Sequence, residues 1–212
     1  MNKKLIAACV LVLSASTGAH ASLIDRGRGM IYDSTQNITW LQDANYAKSS
    51  GYSSSGSMDW GTANSWVQSL TLGGYSDWRL PTTTPFDAPS NISIDQISSE
   101  MGHLLYTDLG FIFGSSILSN HNSNYSLFIN IQDNLYWSPK ASNYNYGPFG
   151  GVVFNINSGS LTYLDKNAQT YAWAVRSGDV ATVPVPATAW LFASGLGLLS
   201  FNRRRTAKNI KL

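Results

Sequence analysis

The 212-residue chain carries 14 lysines and arginines against 12 acids, a formal net charge of +2, and it has one cysteine. Seven of the bases (Lys3, Lys4, Arg203, Arg204, Arg205, Lys208 and Lys211) sit at the two ends, so the stretch between holds seven bases against all twelve acids and stands near −5. That excludes a nucleic-acid partner held by phosphate neutralisation. Cys9 lies within the first apolar stretch, which excludes disulfides, thiolate nucleophiles and thiolate-held metals in the remainder.

The chain opens MNKKLIAACVLVLSASTGAHAS. Lys3 and Lys4 make a basic start, Leu5 to Leu13 is a short apolar core, and Ala19-His20-Ala21 is a small-x-small cleavage site. Residues 1–21 therefore read as a secretory signal, cut between Ala21 and Ser22. Ile6-Ala7-Ala8-Cys9 has the letters of a lipoprotein box, but its cysteine lies inside the apolar stretch rather than after it. Residues 22–179 then form roughly one domain's length of chain.

Within that domain, Met30-Ile31-Tyr32 and Ile38-Thr39-Trp40-Leu41 read as strands joined by the polar turn Asp33 to Asn37. A Ser/Gly-rich loop follows from Lys48 to Ser57. Asp59 is placed to cap a helix whose apolar stripe is Trp60, Ala63, Trp66, Val67 and Leu70, ending at Gly73-Gly74. A second helix is expected from Ser98 or Ser99 through Met101, Leu104, Leu105 and Leu109 to Gly110. The later part reads as strands: Leu127–Ile131, Leu135–Ser138, Gly151–Ile156, Leu161–Leu164 and Tyr171–Arg176, with Asn157-Ser158-Gly159 as a hairpin turn. Two early helices followed by antiparallel strands predict an α+β domain.

Between the helices lies Asp77-Trp78-Arg79-Leu80-Pro81. Trp78 and Leu80 alternate, so both can face a core while Arg79 points away and Pro81 holds the exit extended. Arg79 is suited to a two-pronged carboxylate contact, with Asp77 and Glu100 as candidate partners. Taken with Trp40, the Trp60-to-Leu70 helix, Trp137 and Arg176, the motif resembles the Lcl C-terminal domain family, named for a Legionella collagen-like adhesin. The resemblance implies a C-type-lectin-like fold, with two helices and a small twisted antiparallel sheet under long loops. It implies a mainly structural role for Asp77, Trp78, Arg79, Leu80, Pro81, Trp40, Trp137 and Arg176. Pro85 to Ile97 is an inserted polar stretch.

The far end has three parts: Val183-Pro184-Val185-Pro186, apolar Ala187 to Phe201, then Arg203-Arg204-Arg205. The apolar part is 15 residues by count, short of the ~20 that a bilayer core needs. The basic cluster belongs on the cytoplasmic side, so a C-terminal transmembrane helix is expected, with residues 206–212 as a cytoplasmic tail. Residues 183–205 resemble the PEP-CTERM sorting signal, with Val185 where that family usually has Glu. The resemblance implies an exosortase as processing partner, the inner membrane as first anchor, and the exopolysaccharide production that such systems accompany.

Catalytic and metal motifs are sparse. Glu100 and His103 stand at i, i+3, a spacing that can ligate metal, but no second pair accompanies them. No calcium loop, nucleophile elbow or phosphate loop occurs. No catalytic residue, metal or cofactor is expected. Tyr144, Tyr146 and Phe149, with Asn143 and Asn145, form an aromatic and amide-rich loop suited to stacking on sugar rings. The sequence thus points to an exported, non-enzymatic binding or matrix protein that contacts a glycan. The alternatives are a structural envelope component without a small ligand, or an enzyme built on Glu100, His103 and Arg79.

Overall fold

The structure, a computed structural model, describes residues 23–83, 98–142 and 149–180. The expected signal with its Ala21–Ser22 cleavage site, the 183–212 tail, the whole Pro85–Ile97 insertion and loop residues Asn143 to Tyr146 lie outside them. Among the described residues, no helix is long and apolar enough to cross a membrane.

The fold is α+β. In chain order it runs β1 (Leu23–Gly27), β2 (Met30–Asp33), β3 (Ile38–Leu41), α1 (Tyr46–Ser49), β4 (Ser57–Met58) and α2 (Trp60–Ser69). There follow α3 (Glu100–His103), a π-helical turn (Leu104–Asp108) and a 3-10 turn (Ser123–Leu127). The chain then forms β5 (Leu135–Ser142), β6 (Gly150–Asn155), β7 (Ser160–Asp165), β8 (Thr170–Tyr171) and β9 (Val175–Ser177).

Local chemistry explains the clearest elements. The Asp59 carboxylate accepts the Thr62 N–H at 2.8 Å and the Thr62 hydroxyl at 2.9 Å, so α2 starts where the cap residue stands. The Thr62 N–H holds the Asp59 carboxyl below its ordinary pKa. Ala63, Trp66 and Val67 fill the buried face of the helix. The helix stops at Ser69 rather than running to the glycines, because Leu70 turns extended (ψ 128°). Gly73 and Gly74 take φ of 65° and 90° in the following Leu72–Tyr75 turn.

Where one small sheet was expected, the strands form two. One has the order β1-β2-β3-β9 and the other β4-β8-β5-β6-β7. The β2–β3 and β6–β7 hairpins are antiparallel and in full register. The strands β5 and β8 pair in parallel, at Tyr136 and Tyr171.

Three expected elements differ. Tyr171–Arg176 is not one strand: β8 belongs to the second sheet and β9 to the first. The intervening Ala172-Trp173-Ala174 crosses between them, fully buried. The crossing puts the Trp173 ring against Trp40, Phe128 and Tyr136, at centroid distances of 5.2, 5.3 and 5.8 Å. The Trp173 indole donates to Leu41 O at 2.7 Å, and Leu41 N–H donates to Ala174 O at 3.0 Å. An indole of this size, buried with its N–H satisfied, contributes roughly 3–5 kcal/mol against truncation to Ala.

Leu127–Ile131 is likewise not a strand. The 3-10 turn ends at Leu127, Asn130 takes a left-handed φ of 58°, and only Ile129 makes a lone bridge, to Asp43. Phe128 and Ile131 enter the core while Ile129 faces out. The second helix is also altered. Ser99 caps it by accepting Gly102 N–H at 3.0 Å, but after His103 the turn widens. Leu109 N–H then donates to Leu104 O, five residues back, at 2.9 Å.

Candidate functional site

In the Asp77–Pro81 motif, Arg79 pairs with Val175 through two backbone bonds of 2.8 and 2.9 Å, adding a short rung beside β9. Strand alternation then buries Trp78 and Leu80 and turns Arg79 outward. Of its two candidate partners, Arg79 takes Glu100: the guanidinium donates to both carboxylate oxygens at 2.7 and 2.8 Å. Glu100 also accepts the Thr82 N–H at 2.6 Å. The motif is thereby tied to the start of α3.

Asp77 instead meets Arg176, whose guanidinium donates at 2.8 and 3.0 Å. The same guanidinium lies over the Tyr75 ring, 4.0 Å from its centre. Arg176 is largely buried, while Asp77 is half exposed. The bonds from Arg176 draw the Asp77 carboxyl below its ordinary pKa, against a smaller opposing effect of burial. Each of these two arginines spends its two-pronged donor set on a protein carboxylate.

Elsewhere the surface opens into a cavity of about 340 Å³ lined by Arg28, Gly29, Leu41, Gln42, Asp43, Tyr46, Leu72 and Ile129. Local turns build it. Gly27, Arg28 and Gly29 all take positive φ (72°, 55° and 76°) in the β1–β2 turn, which sets Arg28 on the rim. Gly29 O accepts Gln42 N–H at 2.9 Å, joining that turn to the end of β3. The Gln42 amide donates to Leu127 O at 3.0 Å. Gln42 O accepts Ile129 N–H and Ile129 O accepts Ala44 N–H, both at 3.0 Å, so the far wall is fixed too. The Asp43 carboxylate is held by Asn45 N–H at 2.8 Å and by the Asn130 amide at 3.0 Å. Among the described residues Arg28 makes no ion pair. The cavity combines an apolar floor with an aromatic ring and a few fixed polar groups, the composition of small-ligand pockets.

The sequence profile of the Lcl C-terminal domain matches residues 29–176, from the cavity's Gly29 to the Arg176 clamp. The chain belongs to the Lcl C-terminal domain family. No curated protein and no solved structure matches it. Membership places it with adhesin-like domains of the cell surface.

The motif residues of this Lcl C-terminal domain have the following places. Trp40 is fully buried against Trp173. Trp137 is buried, with its indole donating to Met58 O at 2.8 Å. The Trp78 indole donates to Tyr75 O at 3.2 Å. Pro81 is buried at the exit of the Arg79 rung. In the aromatic loop, Phe149 is 63% exposed and follows directly on residues outside the description. Its backbone carbonyl accepts Lys166 N–H at 2.8 Å.

Glu100, His103 and Arg79 do not form one constellation. Glu100 is engaged by Arg79, whereas His103 turns toward Asp108, with 3.6 Å between Nε2 and Oδ2. The cavity residues were missed by reasoning along the sequence. Gly27-Arg28-Gly29 was the available signal, since glycines on both sides of an arginine mark a tight turn that can present it.

Proposed function

We propose that this chain is an exported, envelope-associated binding protein whose cavity at Arg28, Asp43 and Tyr46 takes a saccharide unit of an extracellular polysaccharide. The observation that carries the reading is the cavity itself: preformed, of ligand size, and lined by an aromatic ring, apolar side chains, an arginine and an anchored carboxylate. Asp43 and Arg28 would bond sugar hydroxyls, while Tyr46, Leu72 and Ile129 would cover the apolar face of the ring. A scaffold of C-type-lectin-like kind fits two small sheets that carry irregular loops. The 183–205 tail supports sorting by an exosortase from the inner membrane.

The loop with Tyr144, Tyr146 and Phe149 is a second contact, favoured by the exposed ring of Phe149. The test is an exopolysaccharide pull-down and glycan array with the chain, beside Arg28→Ala/Tyr46→Ala and Tyr144→Ala/Tyr146→Ala variants. Saturable binding lost in the first variant supports the cavity, and loss only in the second moves the site to the loop. A folded protein with no binding under any condition replaces this reading with a structural envelope role.

A further inference from the structure

Away from the cavity, three side chains with metal-ligating atoms converge that are far apart or out of phase in the sequence. Asp33, His103 and Asp108 each offer one such atom, and these atoms all lie within 4.8 Å of one another. We propose that this cluster is a binding site for one divalent transition-metal ion of the zinc type, joining the β2–β3 hairpin to the α3 segment.

The backbone explains how the three meet. In a regular α-helix of about 3.6 residues per turn, side chains five apart stand ~140° around the axis from one another. The π-helical turn at Leu104–Asp108, closed by the Leu109-to-Leu104 bond, widens the spiral. His103 and Asp108 are thereby brought to one side, 3.6 Å apart. Asp33 arrives from the end of β2, held by its own turn: Oδ1 accepts Thr35 N–H at 2.9 Å and Gln36 N–H at 3.0 Å.

The donor set fits the ion. Two carboxylates and one imidazole are the hard-to-intermediate ligands that zinc and its neighbours share, and three protein ligands leave one position for water. A tetrahedral zinc at about 2.0–2.1 Å from N and O ligands spaces those ligands ~3.3 Å apart. The His103–Asp108 separation is already close to that, and the three ligand atoms all lie within 4.8 Å of one another.

The surroundings fit as well. Asp33 and Asp108 are almost wholly buried, and His103 Nε2 is a buried nitrogen with no hydrogen-bond partner. Gathering two buried carboxylates around one imidazole favours a positive charge between them. Gln36 supplies outer support: its amide donates to Asp33 Oδ2 at 2.7 Å and to Glu100 O at 3.2 Å. The His103 ring is partly exposed, which provides an entry path.

The test is calorimetric and thermal-shift titration of the chelator-treated full chain in mild detergent with Zn²⁺, Mn²⁺, Ca²⁺ and Mg²⁺. The chain carries Cys9→Ser so that the thiol does not compete. One equivalent of Zn²⁺ should bind and raise the melting temperature, with Ca²⁺ and Mg²⁺ weaker. His103→Gln should abolish this, and Gln36→Ala should weaken it ~10-fold. His121→Ala should leave it intact. On the wild-type fold, Zn²⁺ should shift the ring-proton resonances of one histidine, still present in His121→Ala. That measurement carries the test if His103→Gln does not fold. Absence of a saturable 1:1 zinc complex on the folded chain overturns the proposal. So does zinc binding that survives in a folded His103→Gln protein, or a zinc-induced shift of His20 or His121 in place of His103.

Discussion

Arg176 grips Asp77 across 99 residues of sequence, with guanidinium-to-carboxylate distances of 2.8 and 3.0 Å and the ring of Tyr75 beneath the guanidinium. The last strand of the domain is thus fastened to the segment that leads into Trp78-Arg79-Leu80. Because the bonds from Arg176 lower the Asp77 pKa in the folded state, the pair stabilises the fold at pH values above the unfolded aspartate's ~3.9. That contribution disappears as pH falls through the lower folded value. The Asp77→Asn variant should therefore lose stability at neutral pH and show a flatter acid limb below about pH 4 in urea-melt midpoints against pH. The half-exposed carboxylate keeps the effect modest.

The Glu100 carboxylate is better shielded than that of Asp77 and carries a further bond from Thr82 N–H. Glu100→Gln should cost ~1–3 kcal/mol in chemical denaturation, since it breaks charge-assisted bonds without removing volume. A double-mutant cycle with Arg79→Met should return a coupling between the two sites. An additive pair of losses would show that the ion pair contributes nothing beyond packing.

Gly159 stands where a side chain has no room. It takes φ of 70°, and a Cβ there would lie 2.1 Å from the Tyr106 hydroxyl and 2.4 Å from the Phe111 ring. Tyr106 also donates its hydroxyl to Gly159 O at 2.7 Å. Gly159→Ala should destabilise by ~2 kcal/mol or more, because backbone strain and overpacking act together. The neighbouring Asn157→Ala, in the same turn but exposed, serves as the control in the same thermal melt.

Tyr136 lies fully inside the core, and its hydroxyl accepts Gln132 N–H at 2.8 Å. Burial pushes its phenol pKa far above the ordinary value, so the group stays neutral throughout the accessible range. Tyr136→Phe should cost ~1–3 kcal/mol by leaving that amide unsatisfied. The loss should be independent of pH between 5 and 9 in denaturant midpoints, because no proton is taken up or released at this site.

The proposed ligand contacts are separable from these structural ones. Tyr46 lines the cavity and is half-buried, outside the clamp formed by Arg176. Tyr46→Ala should weaken polysaccharide retention at least ~10-fold while moving the melting temperature little, as loss of an aromatic stacking surface does in binding sites. Retention unchanged in this variant, measured by pull-down at several polysaccharide concentrations, would remove Tyr46 from the site.

Much of the architecture was legible along the chain because its causes are local. The Asp59 cap and the Ala63, Trp66 and Val67 stripe marked α2. The polar turns after Tyr32 and Ile156 marked two hairpins, and the Trp78/Leu80 alternation marked which side of the motif would be buried. Each of these depends on residues within a few positions of one another.

Tertiary structure decided what depends on partners distant in sequence. Two carboxylates were available to Arg79, and only the approach of α3 assigned it Glu100 while leaving Asp77 to Arg176. Trp173 looked like a residue inside a regular strand, but packing against Trp40, Phe128 and Tyr136 pulled that segment between two sheets. The cavity needed four separate chain segments to converge, and the Asp33–His103–Asp108 cluster needed an i→i+5 turn that no periodicity in the chain announces. Local propensity selects a residue's conformation, whereas the meeting of side chains tens of residues apart follows from how the whole core closes.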